Sequence, residues 1–248
     1  MLTDQQLIRY KRNVLLPGVD IVGQEKLLQS RVLIVGAGGL GSAVAYYLAA
    51  AGVGHIGLAD SDTVDLSNLQ RQILHRTEDL GRPKVLSGTE KLVKLNPDIE
   101  ANAIDEMVTA ENVDETVRRY DVVVDCTDNF PVRYLLNNAC IRQRKPMIFG
   151  GVISFSGQLM TIMPGEGPCL NCLFRENPSP GAPSCADVGI LGAVPGVIGV
   201  LQSAEVLKYL LGLGNLLVGR LLTYDALAAA FLEISLERDP LCPSCSQL

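Results

Sequence analysis

Apolar and polar positions change over in blocks along the middle of the chain. RVLIVG (31–36), DVVVDC (121–126) and PMIFGGV (146–152) are short continuous apolar runs of strand length. Such runs fit strands of a parallel sheet buried on both faces. HIGLAD (55–60) and IEANAID (99–105) read as two further strands. Between the runs lie stretches with helical spacing: residues 40–51, Lys84 to Leu95, 111–119 and 131–144. The helix at Lys84 starts after Pro83 and stops before Asn96-Pro97, both of them boundary signals. Strand and helix alternating from 31 to 152 predict an α/β fold, a Rossmann-like doubly wound and mainly parallel sheet.

The flanks have a different texture. Residues 3–12 and 20–29 predict two helices, broken by Pro17-Gly18. GQLMTIMP (157–164) alternates as a strand does, and residues 165–193 are rich in Gly, Pro and Ser and hold three cysteines. A long stretch without evident structure is usually functional or mobile. Helical spacing returns at 197–211, and 219–236 reads as a terminal hairpin. Three regions are therefore expected: N-terminal helices (1–30), a nucleotide-binding domain (31–164), and a mobile cysteine-containing loop with a helix and hairpin (165–248).

Composition narrows the class. With 248 residues and 48% apolar side chains, a sizeable core is available. The formal charge of −6 argues against nonspecific nucleic-acid binding, which needs a basic surface. The N-terminus shows no secretory pattern, and the apolar stretch 194–201 is interrupted by Pro195, Gly196 and Gly199. No membrane span and a cytoplasmic location are the expectations.

Chemistry enters at Gly36-Ala37-Gly38-Gly39-Leu40-Gly41, a GxGxxG set between a strand and a helix. Glycine allows close approach of a phosphate, and the helix start offers free N–H groups and partial positive charge. Asp60 ends the next strand, where a carboxylate can accept from ribose hydroxyls. An NAD-dependent oxidoreductase would show the same residues. Three clusters favour ATP. Asp62, Asn68, Arg71 and Gln72 follow the ribose position, and Lys84 opens a helix after Gly81-Arg82-Pro83. Extra cations suit a triphosphate better than a dinucleotide's pyrophosphate. Asp125-Cys126-Thr127-Asp128-Asn129 ends a buried strand at the edge that faces a ligand, with Asp128 the candidate for Mg²⁺.

GAGGLG (36–41), LSNLQRQ (66–72), RPK (82–84) and DCTDN (125–129) together resemble the signature set of the E1-like adenylating enzymes, in the MoeB/ThiF/HesA branch. The resemblance covers nearly the whole chain. It implies ATP-dependent adenylation of the C-terminal Gly-Gly carboxylate of a ubiquitin-like sulfur-carrier protein, for molybdopterin or thiamine biosynthesis, with a separate sulfur donor. It implies that the glycine loop lines the nucleotide site and that Asp60 contacts ribose. Asn68, Arg71 and Lys84 would lie near phosphates, Asp128 on Mg²⁺, and Arg12 would reach across a homodimer into the partner's site. The family commonly has Arg-Gln where this chain has Arg12-Asn13, which leaves Asn13 without an assigned role. A zinc-stabilised adaptor without catalysis is the alternative from another class; the complete phosphate set of Arg71, Lys84 and Asp128 argues against it.

Of seven cysteines, four form two pairs, Cys169-x-x-Cys172 and Cys242-x-x-Cys245. Two such pairs can close a structural zinc site with no open position, the alternatives being a redox dithiol or two unrelated pairs. Cys185 lies in the Gly/Pro-rich stretch and is a candidate for covalent thiol chemistry, although adenylation does not require it. Cys126 and Cys140 read as small buried residues. The two histidines, His55 and His75, sit in different elements and read as surface or packing residues.

Overall fold

The computed structural model describes residues 1–175 and 188–247. The alternation of apolar runs and helices resolves into one eight-stranded sheet. Strands β1 (Arg31–Val35), β2 (His55–Ala59), β3 (Glu100–Ile104), β4 (Val122–Asp125) and β5 (Met147–Ile153) run parallel. Strands β6 (Ser156–Ile162), β7 (Arg220–Asp225) and β8 (Ala230–Ser235) extend it antiparallel. The order is β3-β2-β1-β4-β5-β6-β7-β8, so the sheet continues without a break across position 164.

Among the described residues the helices are α1 (Asp4–Arg9), α2 (Lys11–Val14), α3 (Asp20–Gln29), α4 (Gly39–Ala51), α5 (Lys84–Leu95), α6 (Val113–Arg118), α7 (Phe130–Gln143), α8 (Leu170–Leu173) and α9 (Ala193–Leu211). Apart from Arg31, His55 and Asp125 at their ends, strands β1, β2 and β4 are apolar because they are covered on both faces. Val32, Ile34, Ile56 and Leu58 point to one core with Val44 and Leu48 of α4 and Ile198 and Val206 of α9. Leu33, Val35, Val123 and Phe149 point to the other, with Val117 of α6 and Leu136 of α7. That two-sided burial is the reason the strands lack polar alternation.

Three expectations are corrected. The helix expected over 3–12 is two, broken at Tyr10, whose buried side chain leaves the surface to bond Asn96 and Asp98. The C-terminal helix begins at Ala193, not 197, because Pro195 falls in its first turn, where no N–H is needed. Pro195, Gly196 and Gly199 therefore do not interrupt it. Among the described residues α9 is one helix long and apolar enough to cross a membrane by length and composition, with mean hydropathy 1.3. It is also a core helix, carrying buried Gln202 and Glu205.

Candidate nucleotide site and cysteine cluster

Strand order reverses at β1, with β2 on one side and β4 on the other, and in open α/β sheets the carboxyl ends of strands at such a point border the ligand crevice. Gly36 leaves β1 with φ +99°, and a Cβ there would lie 2.5 Å from the Cys126 carbonyl oxygen. At Gly41 a Cβ would lie 1.9 Å from the carbonyl oxygen of Gly36. The loop folds back on its own helix at van der Waals distance, which only glycine permits. Gly38 offers α4 no side-chain cap, so among the described residues the first N–H groups of the helix are left to meet an anion.

Asp60 follows β2 and is already engaged. Its Oδ2 accepts from the Ala37 N–H at 2.7 Å and its Oδ1 from the Asp62 N–H at 2.9 Å. Asp62 is exposed and pairs with Lys84 Nζ at 2.8 Å. Lys84, only 5% exposed at the first turn of α5, is thus brought to the Asp60 end of the crevice. A 3-10 turn over Leu66–Asn68, capped by Asp65, carries the next cluster. Arg71 reaches back to the Ser67 carbonyl at 3.1 Å, and its Cγ lies 3.5 Å from where a Gly39 Cβ would be. Gln72 is buried beside Gly38, and its Oε1 has no partner among the described residues.

Across the crevice, Asp128 is exposed after β4, and its carboxylate forms no hydrogen bond or ion pair among the described residues. An open carboxylate at this edge suits a hydrated Mg²⁺. Asn129 is occupied: its side chain accepts from the Val132 N–H and caps α7. Beneath them Asp125, fully buried, accepts from the N–H and hydroxyl of Thr127 at 3.0 and 2.7 Å. Burial pushes its carboxyl up, opposed by the Arg133 charge and the Thr127 bonds. Arg133 lies between the Phe130 and Phe149 rings and donates to the Thr127 carbonyl at 2.6 Å. This buried pair fixes the turn that presents Asp128, and the sequence reading had no role for Arg133.

Arg12 stands apart from this crevice, exposed on α2. Its neighbour Asn13 donates to Gln24 Oε1 at 3.1 Å and the Ala51 carbonyl at 3.3 Å, tying α2 to α3 and to the end of α4. Cys185 lies outside the described residues.

The sulfurs of Cys169, Cys172, Cys242 and Cys245 all lie within 4.8 Å of one another. The recorded S···S separations are 4.0, 3.6 and 3.5 Å. A tetrahedral ion bound at zinc–thiolate length would set them about 3.8 Å apart. The four sulfurs therefore fit a closed tetrahedral metal site, and no pair is at disulfide length. Burial pushes the Cys169 thiol up, a cost that a cation would reverse. The cluster is docked on α7: Leu170 N–H donates to Asn137 at 3.0 Å, and Ser244 joins Asn171 to Asn138.

Residues 10–244 match the ThiF family. The chain belongs to that family. Among its ThiF-family relatives, the sulfur carrier protein adenylyltransferase of Thermus thermophilus is 48% identical over 98% of this chain and 92% of its own length. The SAMP-activating enzyme E1 of Haloferax volcanii is 46% identical over 98% of this chain and 90% of its own. The adenylyltransferase and sulfurtransferase MOCS3 of Drosophila sechellia is 45% identical, and this chain spans 54% of its length. In fold, the ThiF-family chain superposes on the crystal structure of E. coli MccB with AMPCPP and MccA at TM-score 0.85, with 24% identity over 98% of this chain and 75% of that one.

Proposed function

We propose that this chain uses ATP to adenylate the C-terminal carboxylate of a ubiquitin-like sulfur-carrier protein ending in Gly-Gly, in molybdopterin or thiamine biosynthesis in the cytoplasm. The observation that carries the reading is the exposed carboxylate of Asp128, two residues beyond the Cys126 carbonyl that abuts Gly36 of the glycine loop, in a chain 48% identical to a sulfur carrier protein adenylyltransferase. Arg71 and Lys84 have no evident use in hydride transfer, which disfavours an oxidoreductase.

The attacking carboxylate needs no base, because a chain terminus with a pKa of about 3.5 is ionised at neutral pH. One carboxylate oxygen bonds to the α-phosphorus while the α–β anhydride bond breaks, and pyrophosphate leaves with the electron pair. The obstacle is repulsion between two anions. Arg71 and Lys84 offset it from this chain, and Arg12 of a second copy completes the set. The exposed apolar residues Ile8, Leu15, Leu16 and Val22 around Arg12 support a homodimer contact through the N-terminal helices. Asp128 would hold Mg²⁺, which when bound neutralises phosphate charge. The four cysteines would hold zinc as a structural ion. Sulfur is supplied by a separate donor protein, and Cys185 is a candidate for the thiol step that follows.

ATP–pyrophosphate exchange with a carrier ending in Gly-Gly tests this. Asp128→Ala is expected to lower exchange by at least about 100-fold, and Arg71→Ala by a similar order. Full exchange by Asp128→Ala would refute its assignment; no exchange by the unaltered protein with such carriers would refute the function.

A further inference from the structure

His75 is not among the residues that the adenylation reading uses, yet it holds the glycine loop from beneath. Its ring is 5% exposed, with Nε2 2.9 Å from the Ala37 carbonyl oxygen and Nδ1 2.9 Å from Ser87 Oγ. A carbonyl oxygen only accepts, so Nε2 carries the hydrogen and donates, which leaves Nδ1 of the neutral ring to accept from the Ser87 hydroxyl. Ser87 Oγ in turn accepts from Lys91 Nζ at 2.8 Å, and Lys91 is held by Asp79 at 2.5 Å. Every donor in this chain of contacts points the same way, from Lys91 to Ala37.

The consequence falls on the next residue. The Ala37 carbonyl and the Gly38 N–H belong to one planar trans peptide, so they point in opposite directions. Fixing the carbonyl downward on His75 turns the Gly38 N–H outward, where it has no acceptor among the described residues. The plane needs such an anchor. Its neighbours Gly36 and Gly38 have no side chains to restrain it, and Asp60 fixes only the preceding peptide through the Ala37 N–H.

We propose that His75 is a positioning residue for the nucleotide, setting the Gly38 N–H as a phosphate donor through the Ala37 carbonyl. The inference rests on the glycine loop being the ATP cradle.

Two substitutions separate positioning from mere filling of space. In His75→Gln the amide nitrogen can take the place of Nε2 and keep the donor to Ala37. In His75→Asn the shorter amide reaches Ser87 and loses Ala37. Equilibrium binding of ATP, KM for ATP, KM for the carrier and the thermal midpoint are measured for both. The expected result is ATP affinity within about threefold of the unaltered protein for His75→Gln and at least about tenfold weaker for His75→Asn, the scale of one hydrogen bond to a charged group. KM for ATP should follow affinity while KM for the carrier stays level. Equal losses in the two variants, or none in His75→Asn, would overturn the inference alone. Failure of the unaltered protein to bind ATP would overturn the nucleotide reading and this inference with it.

Discussion

Burial lowers the proton affinity of the His75 ring from its ordinary 6.5, and the charges of Lys91 and Lys84 lower it further, against the Ala37 bond and Asp79. The unfolded chain therefore binds more protons than the folded one once the pH drops below 6.5. Stability is full above that value and is lost as the pH falls toward the lowered folded value. Urea midpoints measured from about pH 7.5 to 5 should fall with acidity in the unaltered protein, and the slope should be shallower in His75→Gln. At this scale the sequence is informative where residues act next to a motif. Asp60, Lys84 and Asp128 can be named from the chain because strand ends and helix starts mark them. His75 cannot, because its partners are 38 and 12 residues away and only the fold brings them together. Arg133 is hidden for a different reason: on a helix wheel it reads as a surface cation, and its burial is tolerable because the fold supplies the Thr127 and Gly150 carbonyls, two aromatic rings and the buried Asp125 carboxylate around it.

The strand–helix crossing at β1–α4 is specified almost atom by atom. A methyl group at position 41 would sit 1.9 Å from a backbone oxygen that has nowhere to move without opening the loop. Gly41→Ala should cost about 2 kcal/mol of stability and weaken ATP binding, as read by denaturant unfolding and by equilibrium titration. Most elements are legible because their ends carry chemical punctuation. Helix α5 begins and ends where Pro83 and Asn96-Pro97 place it. The exceptions are instructive. Proline at position 195 looks like a stop signal in a linear reading but sits in the first turn of α9, where it is compatible with helix. Tyr10 breaks the first helix for a tertiary reason, its hydroxyl bonding to Asn96 and Asp98, which no local pattern reveals.

For the molecule as a whole, the position of Arg12 outside the crevice of its own chain has a measurable corollary if a second copy supplies it. Arg12→Ala and Asp128→Ala proteins should each be inactive alone. After subunit mixing, each mixed dimer holds one site with both residues intact, so about a quarter of the full exchange rate should return. Mixtures that stay inactive would place Arg12 in the site of its own chain, and full exchange by Arg12→Ala alone would place it outside catalysis. The order of strands in the second half of the sheet is the part of the architecture least legible in the chain: β5–β6 and β7–β8 are local hairpins, but joining β7 to β6 depends on pairing across α9. The cysteine pairs bracket that same stretch. An ion gripping all four sulfurs turns residues 169–245 into a closed ring that contains α9, β7 and β8. Such a ring removes freedom from the unfolded chain, by about 4 kcal/mol if it acts as a covalent cross-link would, and adds no contact to the crevice. Its loss would be felt as fragility to heat, while turnover in the molecules still folded would stay as it was.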